Sequence, residues 1–334
     1  MALLIRDEED ANCRQARTQP ARDTQSTHCV AHLRREPRFI SIDSPRLLNP
    51  HAIGPFAPHA GYHGSMPVQL ETPKEHPHVA LVTIDRPERA NALDPLMNSQ
   101  LAGAWRHIAE DPDIRCAILR GAGDRVFCSG QDIGATLSAS QKLHRGERVS
   151  EAEFEGLRSV STALLAGFDL KTPLICAVNG HARGGGFDLM LASEIRYAVP
   201  NATFALEEVA LGLYPTGNAT VMLPRQIGWA YAHEMMLTGK PIDAEKALRF
   251  GLINEIVEPE ALLDRAFETA QAIADNAPLA VTATRAGVRE LISMDLESAY
   301  KRQEELGKPL RKTEDAREAQ RAFMEKRTPK FQGR

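Results

Sequence analysis

Three short segments concentrate the residue types that can do chemistry. The first is Asn179-Gly180-His181-Ala182-Arg183-Gly184-Gly185-Gly186-Phe187-Asp188, which follows a β-rich run and opens a predicted helix. Consecutive glycines leave backbone N–H groups unobstructed at the positive end of a helix dipole. There they can bind phosphate or an oxygen that becomes negative during reaction. A tight packing turn explains the glycines equally well, and Asp188 has an ordinary place as an acid in a first helical turn. The second segment is Val126-Phe127-Cys128-Ser129-Gly130-Gln131-Asp132, where small residues around Gly130 admit another backbone N–H to a ligand. Cys128 has no placeable histidine partner and reads as an inert thiol. The third is Ala205-Leu206-Glu207-Glu208-Val209-Ala210-Leu211-Gly212-Leu213-Tyr214-Pro215, in which two acids interrupt an apolar run. A buried carboxylate there is costly unless paired or functional. Glu207 reads as solvated; Glu208 is either functional or the partner of an arginine such as Arg225. Two phosphate motifs are excluded by spacing: the glycines do not form Gly-x-x-x-x-Gly-Lys-Ser/Thr, and Gly121-Ala122-Gly123 lacks the third glycine of a dinucleotide fingerprint.

Regular elements must carry these turns. His78-Val79-Ala80-Leu81-Val82-Thr83-Ile84 predicts a strand ending at Asp85-Arg86-Pro87. Met97, Leu101, Trp105 and Ile108 share one apolar helical face. Buried strands are predicted over 116–120 and 173–178, with a helical stretch over 151–167 between them. The Ser/Gln/Arg-rich residues 134–150 read as a mobile loop. Beyond about 217 the pattern is mostly helical, through 261–274, 278–293 and 316–326. Strands alternating with helices and followed by a helical tail give an α/β or mixed architecture.

The chain has 334 residues, 43% hydrophobic and 25% charged, with a formal net charge of −4. No apolar run is long enough to form a transmembrane helix, and the acidic balance argues against coating nucleic acid or an anionic membrane. Five scattered cysteines without a CxxC pair disfavour a disulfide framework or structural zinc. The averages hide a break. Residues 1–65 hold eight arginines, no lysine, seven acids and six prolines, and only twelve Leu, Ile, Val or Phe. That apolar content is too low to bury a core, so a disordered N-terminal extension is expected. The acids at 7–10 do not suit a mitochondrial transit peptide, and no stretch resembles a signal peptide. Met66 stands at the boundary as a candidate natural start, ahead of one catalytic domain over 66–334 whose C-terminal part, from about 260, is helical.

Taken in order and spacing, the three segments closely resemble the crotonase superfamily, the enoyl-CoA hydratases and isomerases, over roughly 77–334. The resemblance begins at Ile84-Asp85-Arg86-Pro87-Glu88-Arg89-Ala90-Asn91-Ala92-Leu93 and continues through Phe127–Asp132, the triple glycine, and Glu208 ahead of Gly212-Leu213-Tyr214-Pro215. Leu223-Pro224-Arg225 and Ala322-Phe323-Met324-Glu325-Lys326-Arg327 complete it. It implies a crotonase-like α/β spiral of ββα units with a helical C-terminal region, assembled as homotrimers or hexamers. The scattered cysteines, which suit a reducing compartment, and the lack of a targeting segment give a cytoplasmic location as the expectation. It further implies an oxyanion hole formed by the N–H groups of Gln131 and Gly185 around an acyl-CoA thioester carbonyl. Gln131 stands where alanine is common, a change that spares the backbone donor. Arg86, Ala90, Ser129, Gly130, Asp132, Ile133 and Gly184 fall in the stretches implied to bind CoA and substrate. Phe323 and Lys326 resemble C-terminal residues that reach CoA, in some cases on a neighbouring subunit. Coenzyme A belongs to the substrate, and neither a separate cofactor nor a metal is expected.

The acids select the reaction that the resemblance implies. In hydratases two glutamates hold one water, one helping deliver oxygen to Cβ and the other handling the proton at Cα. Glu208 matches the second; Asp188 sits at the first, one methylene shorter. The expectation is hydration of a trans-2-enoyl-CoA. Enoyl- or dienoyl-CoA isomerisation is the alternative, weakened because Thr216 stands where dienoyl-CoA isomerases carry a further aspartate. A specialised acyl-CoA lyase is a second alternative, and a non-catalytic CoA- or RNA-binding homologue belongs to a different class. The acidic 66–334 region disfavours RNA.

Overall fold

The computed structural model describes residues 66–334; the disorder expected over 1–65 lies outside that range. The chain opens with β1 (Val68–Glu71) antiparallel to β2 (Val79–Ile84). Helix α1 (Pro95–Glu110) follows, capped by the Asp94 side chain, which accepts from Met97 N. Three passes of similar design come next. Strand β3 (Cys116–Gly121) leads to β4 (Val126–Cys128) and α2 (Ile133–His144). After α3 (Glu151–Arg158) and α4 (Val160–Ala163), β5 (Leu174–Val178) leads to β6 (His181–Arg183) and α5 (Gly185–Leu191). Strand β7 (Ile195–Ala198) leads to β8 (Thr203–Ala205), a 3-10 turn over Glu208–Leu211, and α6 (Ala219–Gln226). The remainder comprises α7 (Trp229–Thr238), β9 (Ile242–Asp243), α8 (Ala244–Arg249), β10 (Glu255–Ile256), α9 (Leu262–Ala274), α10 (Pro278–Leu291), α11 (Leu296–Leu310) and α12 (Glu314–Glu325).

Each pass visits one sheet, crosses to a second, and ends in a helix. One sheet runs β1-β2-β3-β5-β7-β10 and the other β4-β6-β8-β9. This is the expected ββα spiral. The parallel strands β2, β3 and β5 are buried almost throughout because both faces are covered, which explains their near-continuous apolar sequence. Met97, Leu101, Trp105 and Ile108 of α1 enter the core as the periodicity predicts, and Trp105 Nε1 donates to Ala163 O at 3.0 Å.

The loop expected over 134–150 is corrected: α2 runs to His144. Asp132 caps it, accepting from Ala135 N at 3.1 Å, and only Ala139 is fully buried, so almost no apolar periodicity marks the helix. Helix α11 lies in the region expected to be helical, but it carries no fully buried residue and no apolar face singles it out.

Arg196 fixes the helix on which the glycine turn depends. Its buried guanidinium donates to the carbonyl oxygens of Met190, Leu191, Ser193 and Leu252, and to Ser193 Oγ and Gln226 Oε1. A cation there satisfies carbonyls left open at the end of α5. Burial draws its pKa down to about 10. Arg196→Leu would leave several buried acceptors unpaired, and denaturant unfolding is expected to show a loss of about 3 kcal/mol or more.

Candidate active site

The turns after β4 and β6 lie side by side because those strands pair in parallel. Asn91 staples the first turn from beneath. Its amide donates to Ala122 O at 3.0 Å and Val126 O at 2.7 Å, while its Oδ1 accepts from Arg86 N at 2.9 Å. Ala90 O accepts from Ser129 N at 3.1 Å, and Leu93 bridges the segment by donating to Gly130 O and accepting from Asp132 N. Gly130 has φ +92°, and a Cβ there would stand 2.9 Å from Gly185 N and 3.0 Å from Arg183 O. A Cβ on Gly186 would stand 2.2 Å from Cys128 O. Only glycine allows so close an approach. Among the described residues, the N–H groups of Gln131 and Gly185 find no backbone acceptor. Gln131 N lies 3.5 Å from where a Cβ of Gly185 would be. Two unengaged donors therefore sit side by side.

The carboxylates lie close by. Glu208 Oε1 stands 3.2 Å from the position of a Cβ on Gly184, and Glu208 Oε2 is buried without a hydrogen-bond partner among the described residues. Burial pushes the Glu208 carboxyl above its ordinary range, its own N–H counteracts this, and the charge of Glu207 adds to the rise. Asp188, 3% exposed, projects from α5; its Oδ1 accepts from Asn218 N and Ala219 N, both at 2.7 Å, at the start of α6. Its pKa is pushed up to about 7 by burial, opposed by the Ala219 N–H, and raised further by the Glu208 charge. The two acids are thus electrostatically coupled. The Arg225 alternative for Glu208 is not realised, since Arg225 donates to Val221 O. Glu207 is not simply solvated but pairs with Arg183 at 2.6 Å.

A family model described as enoyl-CoA hydratase/isomerase matches residues 74–334. The chain belongs to the enoyl-CoA hydratase/isomerase family. It is 40% identical over 273 residues to an (E)-benzylidenesuccinyl-CoA hydratase of Thauera aromatica, covering 80% of this chain and 100% of that protein. It is 40% identical over 257 residues to an enoyl-CoA hydratase of Mycobacterium tuberculosis, covering 77% of this chain and 94% of that one. Among solved structures, an enoyl-CoA hydratase of Bacillus anthracis superposes with a TM-score of 0.71 at 31% identity, covering 80% of this chain and 100% of its own. The fold is accordingly the crotonase fold.

Within this hydratase/isomerase-family fold, the remaining anticipated residues are not all gathered together. Arg86 Nη1 contacts Asp94 and Asp132, each at 3.2 Å, so its charge is already engaged beside the first turn. Hydrogen bonding from Ala135 N holds the Asp132 carboxyl below its ordinary range against some burial, with help from Arg89 and Arg86. Ile133 is half exposed at the start of α2. Phe323 is 82% exposed near the end of α12, and Lys326 caps that helix in the left-handed region; no hydrogen bond or ion pair among the described residues joins either to the turns. Burial pushes the Cys128 thiol up to about 12, consistent with an inert role. Exposed Thr216 supplies no carboxylate. Among the described residues no group of three or more His, Cys, Asp and Glu side chains gathers as a metal site, and no helix is long and apolar enough to cross a membrane.

Sequence reasoning places 216–220 at the start of a helix near the acyl pocket, as α6 shows, but assigns Gly217 and Asn218 no contacts. Asn218 donates through Nδ2 to Asp188 O at 2.9 Å and Leu164 O at 2.8 Å, locking the start of α6 against α5. A Cβ on Gly217 would lie 2.1 Å from Asp188 Oδ2. Gly217→Ala is therefore expected to push the carboxylate out of register, and steady-state turnover of an enoyl-CoA should fall on the order of 100-fold for a displacement near 1 Å.

Proposed function

We propose that this protein hydrates a trans-2-enoyl-CoA to a 3-hydroxyacyl-CoA. The observation that carries the proposal is the buried, unpartnered Glu208 Oε2 beside a neutral-range Asp188 and two free backbone donors. The hydratase names of the relatives support a hydro-lyase in preference to an isomerase.

The thioester carbonyl accepts from Gln131 N–H and Gly185 N–H. As water oxygen bonds to Cβ, the electrons of the Cα–Cβ double bond shift toward that carbonyl, and the two donors stabilise the developing enolate. Such a donor is worth about 3–4 kcal/mol in comparable sites. Glu208 and Asp188 hold the water and share one proton. One carboxylate takes a proton from the water, the protonated partner delivers one to Cα, and the pair ends with the single proton it began with. Since the acids are coupled, the proton belongs to the pair. Oδ2 of Asp188 makes no protein hydrogen bond among the described residues and is the oxygen available to water, because Oδ1 is committed to α6.

Incubation with crotonyl-CoA and longer enoyl-CoAs should bleach the conjugated thioester absorbance and yield a product heavier by one water. An isomerase would leave the mass unchanged. Glu208→Gln should reduce kcat by roughly 10²–10⁴-fold, the range for loss of a general acid–base group. The pH profile carries a sign. The singly protonated pair is the working form, so activity should fall as pH rises through about 7, the Asp188 value. That limb should vanish in Asp188→Asn, which keeps an oxygen to accept from α6 but cannot titrate. An unchanged limb in the variant would remove Asp188 from the proton-sharing pair.

A further inference from the structure

Gln131 contributes more than a backbone donor. Its side-chain amide meets the amide of Asn98 in a double hydrogen bond: Asn98 Nδ2 donates to Gln131 Oε1 at 2.8 Å, and Gln131 Nε2 donates to Asn98 Oδ1 at 3.2 Å. Asn98 is 1% exposed, between Met97 and Leu101 on the core-facing side of α1. A primary amide buried in that apolar setting is costly unless its hydrogen bonds are made. Among the described residues neither amide has another hydrogen-bond partner.

The pair completes a three-point hold on one residue. Leu93 N donates to Gly130 O at 2.8 Å and Asp132 N donates to Leu93 O at 2.9 Å, bracketing Gln131 in an isolated parallel bridge. In that pattern the central residue's own N–H points away from its bridge partner. Gly130 O, held by Leu93 N, shares a peptide plane with the Gln131 N–H, and Asn98 adds a hold on the side chain that leaves the Cα at the end of that plane. Asn98 itself belongs to a helix started by Asp94, whose side chain accepts from Met97 N and whose carbonyl accepts from Asn98 N at 3.0 Å. The hold is therefore referred to a rigid element.

We infer that Asn98 is a positioning residue for the oxyanion hole, acting through the Gln131 side chain to aim the Gln131 N–H at the thioester carbonyl. This rests on the proposed binding of an acyl-CoA carbonyl at Gln131 and Gly185. Because that contact strengthens as the enolate forms, loosening it lowers turnover more than ground-state binding.

The test uses the carbonyl itself. Binding of butyryl-CoA labelled with ¹³C at the thioester carbonyl, a saturated ligand that cannot be hydrated, should lower the infrared carbonyl frequency in the wild-type protein. Asn98→Ala and Gln131→Met should each give a smaller downshift. Each should also reduce kcat on an enoyl-CoA about tenfold with KM little changed, a sub-ångström loss of aim. The double variant should be no worse than either single one, since both remove the same link. Gln131→Met keeps the side-chain volume at a partly exposed position, so it carries the test if Asn98→Ala fails to fold. Variants that melt earlier yet retain the full downshift and kcat would overturn the inference and leave Asn98 a packing residue. Absence of any downshift in the wild-type protein would instead overturn the carbonyl site, and the inference with it.

Discussion

Everything at the site depends on how closely the segments after β4 and β6 approach each other. With Gly130 in the left-handed region and a Cβ there barred by Gly185 N and Arg183 O, only hydrogen fits between the two chains. That approach follows from the spiral. Successive passes set β4 beside β6 and β6 beside β8, so the turns that leave these strands fall at one edge in sequence order. Backbone donors placed this way need no reorganisation as charge develops, which is where preorganised dipoles differ from water. The neighbouring elements serve that edge: Asn91 staples one turn, and Arg196 holds the far end of the helix that the other turn begins.

The acids impose a second requirement, because two carboxylates removed from water resist ionisation together. The structure answers unequally. Asp188 is compensated by two N–H groups at the start of α6, while Glu208 keeps a buried oxygen with no partner among the described residues. Position 217 must be glycine in this arrangement, since a Cβ there would meet Asp188 Oδ2.

How much of this was legible in the sequence varied with the physical origin of each feature. Long elements with one buried face, such as α1 and β2, announce themselves through Met97, Leu101, Trp105 and Ile108 or through a continuous apolar run. The Gly130 and Gly184–Gly186 turns, Asp188 and Glu208, which the structure brings together, stand out in the sequence because such residue types break local rules. Strands β4, β6 and β8 are three residues each, too short for alternation to register. Helix α2 hid behind polar residues because it packs almost nothing; its remaining signal was the Asp132 cap with Lys142 and His144 in the last turn. The contacts of Asn98, Gly217 and Asn218 are not legible for a different reason, although 216–220 does read as a helix start. Their significance comes from partners far along the chain, and a buried asparagine on a helix carries no local mark of its pairing.

The most direct test of the account is a crystal structure of the protein with a saturated acyl-CoA bound. The thioester oxygen is expected at about 3 Å from both Gln131 N and Gly185 N, the spacing of a working oxyanion hole, with Cα and Cβ facing Glu208 and Asp188. A carbonyl lying away from both donors, or an acyl chain that places Cβ out of reach of the two carboxylates, would contradict it.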